Sequence, residues 1–299
     1  MDRFEAMSIL LEVVEAGSLS GAGRRLGLPL STVSRKISDL EAHLKTRLLS
    51  RSTRRLDLTD AGRSYVEACR RILEEVEEAE RAAAGEYSAP RGELIVTAPI
   101  VFGRLHLLPV VTAFLNSYPE VSVRLLQADR VAHLLEDHID LAVRIGDLPA
   151  SSLIAARLGA IRRVICASPA YFAARGAPQS PEELTTHDCI AFEALSSGGA
   201  WDFGIGQAAK SVRIQSRLVV NTAEAAIDAA IAGFGVTRVL SYQVAEAVRT
   251  GALRLALESF EPAAWPVSLV RPERGRLPLK LRAFLDFAAP RLKARLAFA

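Results

Sequence analysis

The chain reads as an α/β protein with an N-terminal winged helix-turn-helix, a long linker helix and then two small α/β lobes. Three observations lead there. A helix, tight turn and helix pattern opens the sequence. A single helical repeat then runs from Thr59 to about Ser88. From Leu94 onward, short apolar strand runs alternate with helical patterns, the signature of sheets covered by helices.

In residues 4–16, Phe4, Met7, Ile9, Leu10, Leu11, Val13 and Val14 fit an amphipathic helix. Gly17 ends it and Ser18 suits the N-cap of a short helix over 18–26. Gly27-Leu28-Pro29 is a turn. A third helix starts near Ser31, with Val33, Ile37, Leu40 and Leu44 as its apolar stripe. That stripe leaves Thr32, Ser34, Arg35 and Lys36 outside. Residues 47–58 lack helical periodicity. They carry the basic cluster Arg51-Ser52-Thr53-Arg54-Arg55 and then apolar residues at Leu56 and Leu58, which reads as a two-stranded wing.

Thr59 caps the long helix. Ala61, Tyr65, Ala68, Ile72, Val76, Ala79 and Ala83 follow a spacing close to a coiled-coil seam. Residues 66–89 hold seven Glu and three Arg, so this helix is acidic and ill-suited to lie on DNA. It reads as a dimerisation helix. Strands are expected at 94–97, 121–126, 140–145, 164–167, 218–220, 235–239 and 267–270. Helices are expected at 102–117, 131–137, 223–232, 242–249 and 279–296. Such alternation implies mainly parallel sheets, with ligands beyond the carboxyl ends of the strands.

Charge placement narrows the function. The chain of 299 residues carries 37 Lys/Arg and 34 Asp/Glu, a net +3. Residues 1–65 hold 11 basic and 8 acidic residues, and the remainder holds 26 of each. Within residues 21–55 there are 9 basic and 2 acidic residues, a local +7. A compact basic patch on a neutral chain is the footprint of phosphate binding, so double-stranded DNA is the expected partner. Thr32 and Arg35 share a face near the start of the third helix. Thr32 suits a thymine methyl and Arg35 a guanine or a phosphate. Ser31 and Ser34 suit phosphates, and Lys36 is a further candidate DNA contact. Arg51 and Arg54 suit the backbone or the minor groove.

Several classes are disfavoured. The three cysteines, Cys69, Cys166 and Cys189, form no CxxC pair, which argues against a zinc ribbon or disulfide framework and fits a reducing, cytoplasmic setting. No basic region leads into an apolar stretch at the N-terminus, and no uninterrupted apolar run is long enough for a membrane span. Among His133, Asp137, His138 and Asp140 the two histidines are five apart, off a common helical face, so no metal is expected. There is no G-x-S-x-G elbow and no P-loop, so neither enzymatic chemistry nor a cofactor is expected.

Residues 16–62, AGSLSGAGRRLGLPLSTVSRKISDLEAHLKTRLLSRSTRRLDLTDAG, resemble the DNA-binding domain of LysR-type transcriptional regulators. The strings DLAVRIG, ASPAYF, HDCIAF, WDF, AGFGV, PVSLVRP and LKLRAFLDF extend the resemblance over the whole chain, especially to the CrgA-like branch. It implies a DNA-binding domain over 1–58, a linker helix over 59–89, and a periplasmic-binding-protein-like effector domain over 90–299. Lobe I would span about 90–163 and 266–299, and lobe II about 164–265. It further implies a homodimer or homotetramer on DNA, a small-molecule effector, and an output read by RNA polymerase. An effector-independent repressor or architectural protein is the alternative, with an enzyme using the two-lobed fold behind it.

The sequence departs from the family at several points. Pro29-Leu30 stands where Ser-Gln or Ser-Pro is common, Lys45 where Gly is usual, and Leu49 where Phe is usual. By resemblance the effector lies between the lobes. It would be lined by Ala98, Pro99, Ile100, Phe102, Arg144, Gly146, Asn221, Thr222, Thr237 and Arg238. Helix N-termini at these strand ends attract anions, and Arg144 and Arg238 suit a carboxylate. The family usually has an apolar residue at Arg238, so an anionic, partly apolar effector is the expectation.

Overall fold

The computed structural model describes residues 2–52, 55–83, 89–129, 134, 138–148, 153–196, 198–273 and 277–297. The chain divides into two compact units, Met1–Ser88 and Ala89–Ala299.

The first unit builds α1 (Arg3–Ala16), α2 (Leu19–Leu26), α3 (Leu30–Leu44), β1 (Leu49–Ser52), β2 (Arg55–Leu58) and α4 (Asp60–Ala83). Its helix ends are chemically marked. Asp2 accepts from the Phe4 amide at 2.9 Å and Ser18 Oγ from the Gly21 amide at 3.0 Å. Gly17 and Gly27 take left-handed φ of 65° after α1 and α2. α3 starts one residue earlier than expected, with Pro29 supplying fixed φ but no side-chain cap. Ala6, Leu10, Val13, Ala22, Val33, Ile37, Leu40 and Leu48 form one buried core, each large side chain contributing about 1.5–3 kcal/mol. Glu41 of α3 accepts from the Leu48 and Leu49 amides at 2.8 and 3.0 Å, which ties the wing to this helix. Thr59 Oγ1 accepts from the Gly62 amide at 2.9 Å and donates to Arg47 O at 2.7 Å, so it caps α4 and anchors it to the approach to the wing.

The second unit runs β3 (Gly92–Ala98), α5 (Ile100–Phe102), a π turn over Gly103–Leu107, α6 (Leu108–Ser117), β4 (Val121–Gln127), β5 (Leu141–Ile145) and β6 (Leu153–Ile161). Next come β7 (Arg163–Ala167), α7 (Pro169–Arg175), β8 (Cys189–Phe192), β9 (Ala200–Phe203), β10 (Lys210–Arg213), β11 (Ser216–Val220), α8 (Ala223–Ile231), β12 (Val236–Leu240), α9 (Ser241–Arg249) and β13 (Arg254–Ala256). β14 (Trp265–Pro272) and α10 (Leu279–Leu296) complete it.

Two five-stranded sheets result, in the orders β4-β3-β5-β14-β6 and β11-β8-β12-β7-β13, with β9 and β10 as a separate hairpin. The first sheet is the centre of lobe I and the second of lobe II. The sheets are mixed rather than mainly parallel. β14 runs antiparallel to β5 and β6, and β7 runs antiparallel to β12 and β13. The reason is topological. The chain crosses between lobes before β7 and again before β14, so each strand enters its sheet from the hinge end and runs backward. The expected helix over 131–137 lies outside the described residues, except Leu134.

The helical stretch Ile100–Ser117 has the length and composition of a membrane span, with mean hydropathy 1.4. Here it is a core element. Val101, Phe102, Leu107, Val110, Val111 and Phe114 are buried in lobe I, and the π turn interrupts it.

Candidate DNA interface and interlobe cleft

α3 presents Ser31 and Arg35 to solvent, with Thr32 half-buried beside them. These three share the outward face because Val33, Ile37 and Leu40 turn inward. Two expected contacts behave differently. The Lys36 ammonium turns back onto α1 and pairs with Glu5, so it is not an outward phosphate ligand. Ser34 faces a notch of about 130 Å³ between α3 and the wing, lined with Leu19, Ile37, Glu41, Leu49 and Leu56. Arg51 lies in β1, with its side chain outside the described set, as is the whole of Arg54.

In the second unit the cleft is framed by the ends of β3, β5, β8 and β11 and by the starts of β7 and β14. The expected lining residues sit in or just after β3, β5, β11 and β12, and their chemistry is not as anticipated. Ala98 and Phe102 are fully buried, and Pro99 and Ile100 half-buried. The Ile100 amide is not free for an anion, because Asp129 Oδ1 accepts from it at 3.1 Å. Thr222 Oγ1 caps α8 by accepting from the Ala225 amide at 3.3 Å, and Asn221 beside it is exposed. Thr237 is spent inside the sheet, donating to Ile190 O at 3.1 Å. Gly146 takes φ of 106°, and a Cβ there would meet the Trp265 ring at 3.8 Å.

Arg238 is the largest correction. It is 5% exposed and donates to the main-chain carbonyls of Leu195 and Asp202, with its guanidinium 5.5 Å from the Trp201 ring. Two of its nitrogens are therefore structural. Burial, reinforced by the neighbouring Arg163 cation and opposed by Asp202, brings its pKa down to about 10. Its partner is not Arg144, which is half-buried and has its pKa lowered by burial, but Arg163.

Sequence reasoning placed β7 one residue late and so left Arg163 out. Its guanidinium lies 4.4 Å from the Trp265 ring and donates to Ala263 O at 2.9 Å. Burial lowers its pKa against the opposing carboxylates of Asp202 and Asp147. The Nε atoms of Arg163 and Arg238 are both buried without a partner. Among the described residues neither arginine makes an ion pair within 4.0 Å. The chain's two tryptophans each sit against one of these two cations.

Cys166 lies fully buried in β7, and burial pushes its thiol up to about 12, so it is an inert core residue. Among the described residues no group of three metal-ligating side chains occurs. His133 and Asp137 lie outside that set. Asp140 accepts from the Ile95 amide at 2.9 Å.

A basic winged helix-turn-helix joined through one long helix to a two-lobed α/β sensor defines a one-component transcriptional regulator. The comparisons agree. The family model of the bacterial regulatory helix-turn-helix protein, lysR family, matches residues 4–63, and that of the LysR substrate binding domain matches residues 88–293. The chain belongs to the LysR family of DNA-binding transcriptional regulators. It is 34% identical to an HTH-type transcriptional repressor of Pseudomonas aeruginosa, over 96% of this chain and 91% of that protein. It is 31% identical to the HTH-type transcriptional activator AaeR of Escherichia coli, over 96% and 93%. Among solved structures it resembles CrgA of Neisseria meningitidis, at 31% identity, TM-score 0.62 and coverage of 96% and 98%. The full-length virulence activator AphB of Vibrio cholerae is similar at 25% identity, TM-score 0.60 and coverage of 96% and 98%. These relatives are named as regulators, not enzymes.

Proposed function

We propose that this regulator answers a small anionic effector held in the cleft between its lobes. The supporting observation is the Arg163–Arg238 pair. The Arg163 cation sits close enough to depress the pKa of Arg238, each guanidinium keeps a buried Nε with no acceptor, and neither has a carboxylate within ion-pair distance among the described residues. Burying cations without anions is costly, and an incoming carboxylate relieves that cost. The apolar part of the ligand then lies against Trp265.

DNA is read by Thr32 and Arg35, with Ser31 and the wing arginines on the backbone. The acidic α4 carries the Tyr65, Ile72 seam that pairs two chains, so a homodimer, or a homotetramer of such pairs, sets two recognition helices on a pseudo-palindrome. Effector-driven movement of the lobes changes the arrangement of the pairs and the access of RNA polymerase. Three buried free cysteines suit a cytoplasmic protein.

The test is a promoter-response and footprint assay across carboxylic acids and their neutral amides. The expected result is a response to acids alone, lost in Arg163→Gln. Equal response to the amides, or full response in Arg163→Gln, contradicts the anionic reading. Identical footprints with every compound would instead support an effector-independent repressor.

A further inference from the structure

The tip of α3 carries a side chain that DNA reading by Thr32 and Arg35 leaves unused. Leu30 is the first residue of the helix and is 52% exposed, the most exposed large apolar side chain among the described residues of the first unit. The backbone fixes its position. The Leu28 amide donates to Gly23 O at 2.9 Å, and α2 lies so close to that turn that a Cβ on Gly23 would meet Leu28 O at 2.8 Å. Pro29 follows with φ of −59°, and its carbonyl accepts from the Thr32 and Val33 amides at 2.9 and 3.2 Å. Pro29 supplies no side-chain cap, so the two exposed residues at the tip, Pro29 and Leu30, are both apolar.

An isolated exposed leucine is ordinary on a protein surface and needs no partner. This one is set apart by its place. Cα–Cβ bonds tilt toward a helix N-terminus, so side chains of the first turn project past the end of the helix. A recognition helix reads base edges from that end. Ser31 and Arg35 are exposed on the adjoining row of α3, within the basic stretch 21–55. Lys36 is withdrawn onto Glu5.

The chemistry of the groove then selects the partner. Leucine has no donor and no acceptor, so it gains nothing from a phosphate oxygen or from the polar atoms of a base edge. The apolar group that the major groove offers is the C5-methyl of thymine. We infer that Leu30 is a specificity-determining residue that packs on a thymine methyl in each half-site; this rests on the reading of α3 as the helix that enters DNA. Selection at that base is by burial of a methyl group, beside selection by hydrogen bonding at Arg35.

The test titrates full-length protein with operator duplexes whose thymines are replaced one at a time by deoxyuridine, which lacks only the methyl. One replacement in each half-site should weaken wild-type binding about fourfold, the worth of one buried methyl. Leu30→Ala should bind the unmodified operator at least that much more weakly and should no longer respond to that replacement. Thr32 also suits a thymine methyl, so Thr32→Ser, which removes only the Thr32 methyl, separates the two. The response at the Leu30 base should persist in Thr32→Ser. A wild-type protein indifferent to every replacement overturns the inference without any variant. So does a response that survives in Leu30→Ala, whose loss would then be uniform across the duplexes, as for a sugar–phosphate contact. A response abolished by Thr32→Ser and kept in Leu30→Ala assigns the methyl to Thr32 and overturns it too. Arg35→Ala tells this failure from failure of the underlying reading. Discrimination lost in Arg35→Ala with a silent deoxyuridine scan removes Leu30 alone. Discrimination unchanged in Arg35→Ala with a silent scan counts against α3 as the reading helix.

Discussion

Asp129 Oδ1 lies 3.1 Å from the Ile100 amide, so the helix N-terminus at the mouth of the cleft carries its own carboxylate. The helix dipole there is already answered. The proposed anion site rests instead on Arg163 and Arg238, which keep buried, unpartnered Nε atoms.

The candidate recognition helix separates two basic residues that adjoin in sequence. Arg35 is exposed and Lys36 is paired with Glu5. Arg35→Ala should lower operator discrimination by about 1–3 kcal/mol if it reads a base, measured by binding to operator variants. Lys36→Ala should leave both discrimination and the salt slope nearly unchanged. A large slope change in Lys36→Ala would show that its pairing with Glu5 gives way on DNA.

Lys45 closes α3 with φ of 51°, a conformation that costs a side-chain-bearing residue what glycine does not incur. Lys45→Gly should stabilise the DNA-binding unit by about 0.5–1 kcal/mol in denaturant unfolding. A loss of stability would mean that the Lys45 side chain contributes more than the strain removes.

Leu49 borders the notch of about 130 Å³ beside Ile37 and Leu56. Leu49→Phe should fill part of it and raise stability by about 0.5–2 kcal/mol. Destabilisation in the same unfolding measurement would show that the notch cannot accept a planar ring without moving the wing.

His106 is held neutral, its pKa lowered from 6.5 first by burial and then by Arg295, and His187 is lowered in the same direction. A histidine whose folded pKa lies below its unfolded value favours the folded state above about 6.5 and loses that advantage as pH falls through 6.5 toward the folded value. The melting temperature should therefore drop on acidification from pH 7. His106→Phe keeps the contacts with Phe102 and Tyr242 and removes two unpartnered nitrogens. It should melt higher and with a shallower pH slope. Asp129, raised by burial, works in the opposite sense, so the wild-type minus variant difference isolates the histidine. An unchanged slope would place the titration elsewhere.

The helical and strand patterns of the sequence located α1 to α4, β3 to β5, β7, β11, β12, β14 and α8 to α10 to within a few residues, the helices by one buried stripe and strands such as β7 and β12 as short apolar runs buried on both faces. β6 escaped, since Ile154, Ala155, Ala156 and Arg157 are exposed on a sheet edge and show no alternation. β8 escaped as four buried residues, too short a run to separate from a helix turn. The outward face of α3 was legible from the stripe Val33, Ile37 and Leu40. The destination of Lys36 was not, because Glu5 is 31 residues away. The cleft was legible as a place and not as chemistry. Asp129 and Arg163 were missed because their surroundings depend on strand register, which has no local sequence signal.

The central claim is that sensing in the cleft and DNA reading by α3 are coupled. Calorimetric titration of a bound effector, with and without operator DNA from genome-wide mapping of occupied sites, measures that coupling directly. Linkage requires the two affinities to differ by the same factor by which effector changes DNA affinity, commonly about 5–150-fold. A several-fold difference, lost in Arg163→Gln, is the result expected here. Equal effector affinity in the presence and absence of operator would contradict it.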